Sequence, residues 1–396
     1  MWIELKTTDI RSIVIEKGNQ IITMKNTKPA AFGLISLAFL IVSPISFSQT
    51  AAVPSGNGDI NNPWLISTVE HLLWVSEEAA AGNDFSGDYL VQTQDINAGV
   101  TNTWFPDGSG GYLGFPPIGP TASEPFAGHY DGTGHVVSNL YINRPATSRT
   151  SLFGDIATAG SISNLGVVNV DYTGSFIIGG LAGVNRGLIE RCFSSGTITS
   201  EGTTGGLVGA NVSGATLRDA YSLVNIASEY RSGGLVGHNM GLIESVFAAG
   251  SINDTSGSWP ASFGGLVGEN DEPDADVING FWDTDTSGYP DTDDGAGDQT
   301  EAQSGIVGLG TNGMQDFATF DGLWTIEGRT NLPVGYPVLQ WQIDQDFSAD
   351  APVWLIRVDG PPALPVPFVG PVALSIMILL FGLLAWRMPG SRPKQR

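Results

Sequence analysis

The sequence predicts an all-β chain folded as a parallel β-solenoid, and three observations predict it. First, a five-residue stretch recurs in four copies. These are Gly179-Gly180-Leu181-Ala182-Gly183, Gly205-Gly206-Leu207-Val208-Gly209, Gly233-Gly234-Leu235-Val236-Gly237 and Gly264-Gly265-Leu266-Val267-Gly268, and Asn185, Asn211, Asn239 or Asn270 follows each two residues later. Two worn copies lie upstream, at Phe126-Ala127-Gly128 and Ser151-Leu152-Phe153-Gly154, and the closing glycines Gly128 to Gly268 are separated by 26, 29, 26, 28 and 31 residues. Such a period marks stacked units, each too small to bury its own apolar face. Second, the residues between the glycines fall into columns of like chemistry. Third, these columns sit in short β-prone runs with no 3.6-residue stripe, and 53 glycines weigh against the rival helical repeat.

The columns set the expected rungs. Val137, Ile162, Ile189, Leu217, Ile243 and Ile278 form one, and Leu140, Leu165, Cys192, Ala220, Val246 and Phe281 a second. Phe193, Tyr221, Phe247 and Trp282 form a third, and Ile198, Ile226 and Ile252 a fourth. All four are read as facing inward. Two or three strands per repeat joined by tight turns give six rungs from about Phe126 to Trp282, a stack roughly 25–30 Å long at about 4.8 Å per rung. The motif glycines are expected at corners that need φ > 0, and the asparagines as a stack bonded along the ladder. A phosphate cradle is the sharper alternative, but the strand–GxxxxGK[ST]–helix context is missing.

Gly-Gly-Leu-Val-Gly-x-Asn-x-Gly-x-Ile resembles the GLUG motif of bacterial surface and secreted β-helical proteins. The flanks are similar too: residues 126–140, residues 281–288 and the closing Tyr336-Pro337-Val338-Leu339. The resemblance spans about residues 57–341. It implies a right-handed parallel β-helix in the cell envelope and no reaction, because the motif is a scaffold signature. In the last copy Glu272-Pro273 replaces the glycine turn after Asn270.

In chain order, residues 1–48 read as an N-terminal extension and a secretory signal. Lys25 and Lys28 supply the basic region, residues 30–42 the apolar run, and Ser46-Phe47-Ser48 the cleavage site, with translation starting at Met24. An N-terminal membrane anchor is the alternative, although the run is short for a span. Residues 49–125 are expected to be a linker and an N-terminal cap. There Ser67-Thr68-Val69-Glu70 is a capping box opening a helix to about Ala81, residues 89–96 alternate like a strand, and residues 99–125 form a loop in which Trp104 and Tyr112 cover the core. Cys192 shares its column with apolar residues and is expected to be a buried small hydrophobe. Glu190, Arg191, Arg218 and Asp219 read as a solvated face.

Residues 283–349 are expected to be an acidic loop and a C-terminal cap through Trp324, Pro337, Leu339 and Trp341. Residues 271–298 hold nine Asp and one Glu without Lys or Arg. Within them Asp283, Asp285, Ser287, Asp291 and Asp294 match the spacing of an EF-hand loop, which makes calcium the one candidate cofactor. Asp in the last ligand position and the lack of flanking helices weaken that match, and a polar surface loop is the alternative. Residues 350–367 read as a Pro-rich linker, residues 368–386 as an uncharged transmembrane helix, and residues 387–396 as a basic cytoplasmic tail. That tripartite end resembles bacterial C-terminal sorting signals, so anchoring and processing both stay open.

The net charge of −23 disfavours nucleic acid and anionic membrane surfaces as partners, and a single cysteine rules out an intrachain disulfide framework. His71, His129, His135 and His238 form no metal-ligand spacing, and no Gly-x-Ser-x-Gly elbow occurs. The sequence therefore points to an exported, non-enzymatic envelope protein that displays an acidic solenoid for adhesion or surface structure. Its expected partners are the membrane, through the C-terminal helix, and an extracellular glycan or another surface protein. A polysaccharide lyase or hydrolase on the same scaffold is the alternative.

Overall fold

The computed structural model describes residues 12–17, 20–25, 49–256, 262–271, 275–298, 305–320, 334–342 and 354–358. The chain divides into two compact units, Met1–Phe47 and Ser48–Arg396. In the first, Ser12–Lys17 pairs antiparallel with Gln20–Lys25. The apolar run and cleavage site of the expected signal, the expected membrane helix at 368–386 and the basic tail lie outside the described residues. Among the described residues no helix is long and apolar enough to cross a membrane.

The second unit is a parallel β-solenoid with three sheets. The long face is a thirteen-stranded sheet. Along it run nine parallel strands: Trp64–Ile66, Tyr89–Gln92, His129–Ser138, Ser161–Gly174, Leu188–Glu190, Thr216–Ser228, Leu242–Ala248, Asp276–Asp283 and Ile306–Leu309. A side face stacks Phe153–Ile156, Ala182–Asn185, Val208–Asn211, Val236–Asn239 and Val267–Asn270. A narrow face stacks Ile178–Gly179, Thr204–Gly205, Ser232–Gly233 and Phe263–Gly264. Nine strands enclose eight spacings of about 4.8 Å, so the stack is ~38 Å long rather than the expected 25–30 Å. The added turns come from Trp64–Ile66, Tyr89–Gln92 and Ile306–Leu309, which lack the glycine motif and so could not be aligned with it.

The motif forms the corner between the narrow and side faces. Leu181, Leu207, Leu235 and Leu266 point into the core and are wholly buried there. The glycines serve differently from the expectation. None of the motif glycines has positive φ. Each is needed because a Cβ would collide with a neighbouring rung or corner. On Gly205 it would lie 1.9 Å from the Val208 carbonyl oxygen, and on Gly206 2.1 Å from the Gly234 carbonyl oxygen. On Gly265 it would lie 1.9 Å from the Trp282 ring. The left-handed corner is instead made by a column of larger residues, Asn164, Arg191, Asp219, Ser245 and Asn279, with φ between 50° and 55°.

That left-handed residue resets which side chains face inward. Before it Ile189 points in and Glu190 out; after it Cys192 points in and Phe193 out. The first column stacks as expected at Ile162, Ile189, Leu217 and Ile243, all wholly buried. It continues to Val277 rather than Ile278, and upstream it runs through Tyr130 and Leu90 rather than Val137. Ile278 takes the outward slot and is 47 % exposed. The same one-residue slip puts Gly280 beside Val246 and Phe281 beside Phe247, where Phe281 and Trp282 were expected. Ile198, Ile226 and Ile252 stack as expected.

The third column lies outside the solenoid. Phe193, Tyr221 and Phe247 form a ladder of near-parallel rings, with centroids 4.9 and 4.8 Å apart. It is buried because the C-terminal segment lies over it: Met314, Phe320, Leu339 and Trp341 join the ladder in a second apolar cluster. The Trp341 indole donates to the Arg191 carbonyl at 3.1 Å, and the Tyr221 hydroxyl to the Gln342 side-chain oxygen at 3.0 Å. The expected C-terminal cap is thus a strap along the flank. Trp324 lies outside the described residues. Trp354–Val358, expected within an extended linker, pairs antiparallel with Val334–Leu339.

The asparagines stack as the repeat predicts. The Asn185 amide donates to Asn211 at 2.9 Å, Asn211 to Asn239 at 2.9 Å and Asn239 to Asn270 at 2.8 Å, all in the buried interior. At the other end, helix Val69–Ala80 joins the first two strands and buries Leu72, Leu73 and Val75 in the main core. Its N-cap is Thr68 rather than Ser67, and the Thr68 hydroxyl accepts from the His71 amide at 3.3 Å. Trp104 is wholly buried, as the loop reading requires.

Candidate functional site

Three neighbouring strands of the long face build a groove on the outer surface. Register alone aligns Tyr89, His129 and Ser161 in one outward row, and Val91, Asp131 and Ser163 in the next. Between the rows Leu90, Tyr130 and Ile162 point into the core. The alternation of a strand therefore gives this surface a polar and aromatic lining over an apolar floor. With the exposed Ile60 at its edge, the groove encloses ≈ 370 Å³. This is within the range of small-ligand sites.

The lining is fixed from below and from the side. The Tyr89 and His129 rings lie 4.8 Å apart at 32°, and His129 Nδ1 is 2.8 Å from the Ser161 hydroxyl. Asp131 Oδ1 accepts from the Thr133 amide at 2.8 Å and from Asn164 Nδ2 at 2.9 Å. Below, the Tyr130 hydroxyl donates to Gln92 Oε1 at 2.9 Å, and burial pushes its pKa well above the usual tyrosine value. His129, His135 and Asp131, adjacent in sequence, do not converge: the His135 ring faces Asp95 at 3.2 Å.

A charged network continues the Asp131 row. Asn164 Oδ1 accepts from Arg191 Nε at 2.7 Å, and Glu190 pairs through Oε1 with Arg191 and through Oε2 with Arg218. Glu190 and Asp219 are buried while the Arg191 and Arg218 side chains stay 31 % and 43 % exposed, so the expected solvated face is half-buried and tied together by the Glu190 ion pairs. Arg191, itself the left-handed residue of its rung, reaches both Glu190 beside it and Asn164 in the rung before.

The expected calcium ligands take other roles. Asp283 is wholly buried and caps a four-residue helix, Thr284–Ser287, accepting from the Asp285 and Thr286 amides. Its other oxygen accepts from the Thr311 hydroxyl at 2.8 Å and the Tyr336 hydroxyl at 2.6 Å. Asp285 accepts from the Thr311 amide, and the Ser287 hydroxyl bonds to Tyr289. Asp291 is exposed and Asp294 half-buried in a following turn. The loop therefore anchors the strap, where the spacing had suggested a cation.

Among the described residues, His238, Glu269 and Asp271 are the group with metal-ligand spacing, their ligand atoms all within 4.8 Å of one another. His238 and Glu269 are register partners in adjacent rungs, at the variable position between the motif glycine and asparagine. Aligning the copies on that position would have found them. Arg231 pairs with Glu269 and lies 3.4 Å from His238 Nδ1. A guanidinium only donates, so Nδ1 accepts and Nε2–H donates to Asp271 at 2.6 Å. Arg231 and His238 thus engage both carboxylates of the group. Cys192 is wholly buried and burial pushes its thiol up to about 12, as expected for an inert core residue.

No protein-family model matches the chain. Halomucin of Haloquadratum walsbyi is 34% identical over 178 residues, which cover 44% of this chain and 2% of halomucin. A protein of Evansella cellulosilytica, provisionally named a Gly-rich membrane protein, is 30% identical over 162 residues, covering 40% of this chain and 17% of that protein. The chain thus spans a small part of the length of both relatives. A crystal structure of a Bacteroides ovatus protein, provisionally named an immunoglobulin A1 protease, is 17% identical, covers 72% of this chain and 94% of that one, and superposes with a TM-score of 0.46.

Proposed function

We propose that this chain is an exported, non-enzymatic cell-envelope protein that displays an acidic β-solenoid of the GLUG kind for adhesion or surface structure. The observation that carries the reading is that two outward carboxylates of the long face, Glu190 through both oxygens and Asp131 through one, are engaged by neighbouring groups of the fold. Glu190 gives both oxygens to guanidinium groups, and Asp131 is held by Thr133 and Asn164. The interior is filled by stacked apolar side chains and an amide ladder, so the long outer faces remain as the working surface. The names of the two relatives, a mucin and a membrane protein, support a place at the cell surface.

One observation keeps a second reading in view. Asp131 and Glu190 share an outward row two strands apart, with Ser163 between them. That separation, about 9–10 Å, falls near the spacing of the carboxylates in inverting glycosidases. Incubating the purified protein with neutral and acidic polysaccharides, and following new reducing ends and unsaturated products, separates the two. The display reading expects no turnover. Turnover lost on Glu190→Gln with an unchanged melting profile would establish the enzyme instead.

A further inference from the structure

We propose that the groove formed by Tyr89, His129, Asp131, Ser161 and Ser163 is a binding site for an uncharged polysaccharide chain. The proposal rests on the display reading and gives it a ligand class. A sugar ring has an apolar C–H face and an edge of hydroxyls, and the groove offers a partner to each. The Tyr89 and His129 rings, 4.8 Å apart and 32° from parallel, make a surface for C–H faces. Two residues along the same strands, again on the outward side, Asp131 and Ser163 supply an acceptor and a hydroxyl. Both bonds to Asp131 fall on Oδ1, so Oδ2, like Ser163 Oγ, has no hydrogen-bond partner among the described residues.

The other common occupants of a sheet surface fit less well. A peptide adding as a strand needs an open sheet edge. Here the His129–Ser138 strand is bonded on both sides, to Tyr89–Gln92 and to Ser161–Gly174. A polyanion meets the Asp131 carboxylate and a chain of net charge −23, with the nearest arginines already paired to Glu190. An uncharged polymer avoids that repulsion. It also suits a groove crossed by strands, because outward side chains on successive strands sit about 4.8 Å apart along an extended ligand.

The test uses the full-length chain titrated by saturation-transfer NMR and calorimetry. The uncharged probes are cellohexaose, xylohexaose, mannohexaose and chitohexaose; heparin and polygalacturonate are the polyanion arm. At least one uncharged hexasaccharide is expected to bind, and Tyr89→Ala and Asp131→Asn should each weaken it about tenfold with unchanged melting profiles. Ser163→Tyr, which fills the groove without touching the core, should abolish it. No binding of any uncharged probe at millimolar concentration, a preference for the polyanions, or affinity indifferent to all three variants would overturn the proposal. Those outcomes leave the display reading standing, since surface exposure on intact cells is measured separately. A chain absent from the surface would sink the display reading whatever the groove binds.

Discussion

Replacing Asn211 by Ala removes the middle of the buried amide ladder and tests whether that ladder holds the rungs in register. Asn211 makes three side-chain bonds: it accepts from Asn185 at 2.9 Å and donates to Asn239 at 2.9 Å and to the Leu242 carbonyl at 3.3 Å. Its neighbours are not wholly stranded. Asn185 still donates to the Thr216 carbonyl, and the Asn239 oxygen still accepts from the Gly241 amide. At a net ~1 kcal/mol per bond the loss is about 3 kcal/mol. Equilibrium urea unfolding, followed by tryptophan fluorescence and circular dichroism, reads it directly. The exposed Asn253→Ala is the control and should stay within about 0.5 kcal/mol of the parent. The double variant Asn211→Ala/Asn239→Ala should cost less than the sum of its parts by about 1 kcal/mol, because the bond between the two is counted in each single variant. A single-variant cost under about 0.5 kcal/mol, or strict additivity, would refute the ladder as a stabilising device.

The remaining expectations concern the corner, the strap and the cysteine. Gly206→Ala should cost more than about 3 kcal/mol or block folding, since its Cβ would lie 2.1 Å from both the Gly234 carbonyl and the Ser222 hydroxyl. Gly214→Ala, with φ +81° and open space around it, should cost only about 1 kcal/mol in the same urea assay. Trp341→Ala should destabilise the strap by about 3 kcal/mol through loss of its contact with Phe193 and its bond to Arg191, seen as faster amide exchange in 334–342 before any change in the central rungs. Cys192 should resist iodoacetamide at pH 8 in the folded chain and react on unfolding, as its wholly buried thiol, pushed up to about 12, requires.

How much was legible follows from what a repeat displays. Copies with intact motifs fixed their own register: Ile189, Leu217 and Ile243 stack as read, and so do the four asparagines. The register slipped where the spacing changed. Val277 and Ile278 are both β-branched, and only strand alternation, invisible without an intact corner, puts the first inward. The ladder at Phe193 was legible as a column but not as an outer one. Sidedness depends on one left-handed residue per rung, and although Asn164, Asp219 and Asn279 are of the type that favours it, Arg191 and Ser245 break the column's signature. The glycines were found for their spacing and misread for their cause, because a missing Cβ serves close approach as well as positive φ. The groove was hidden for a different reason. Tyr89 lies on a strand before the first recognisable copy, and only the observed pairing brings it beside His129 and Ser161.

Labelling of intact cells with antibodies raised against the solenoid tests display most directly. Strong signal on unpermeabilised cells, removed by brief external protease treatment, is what the account predicts. Signal that appears only after permeabilisation and survives the protease would contradict it.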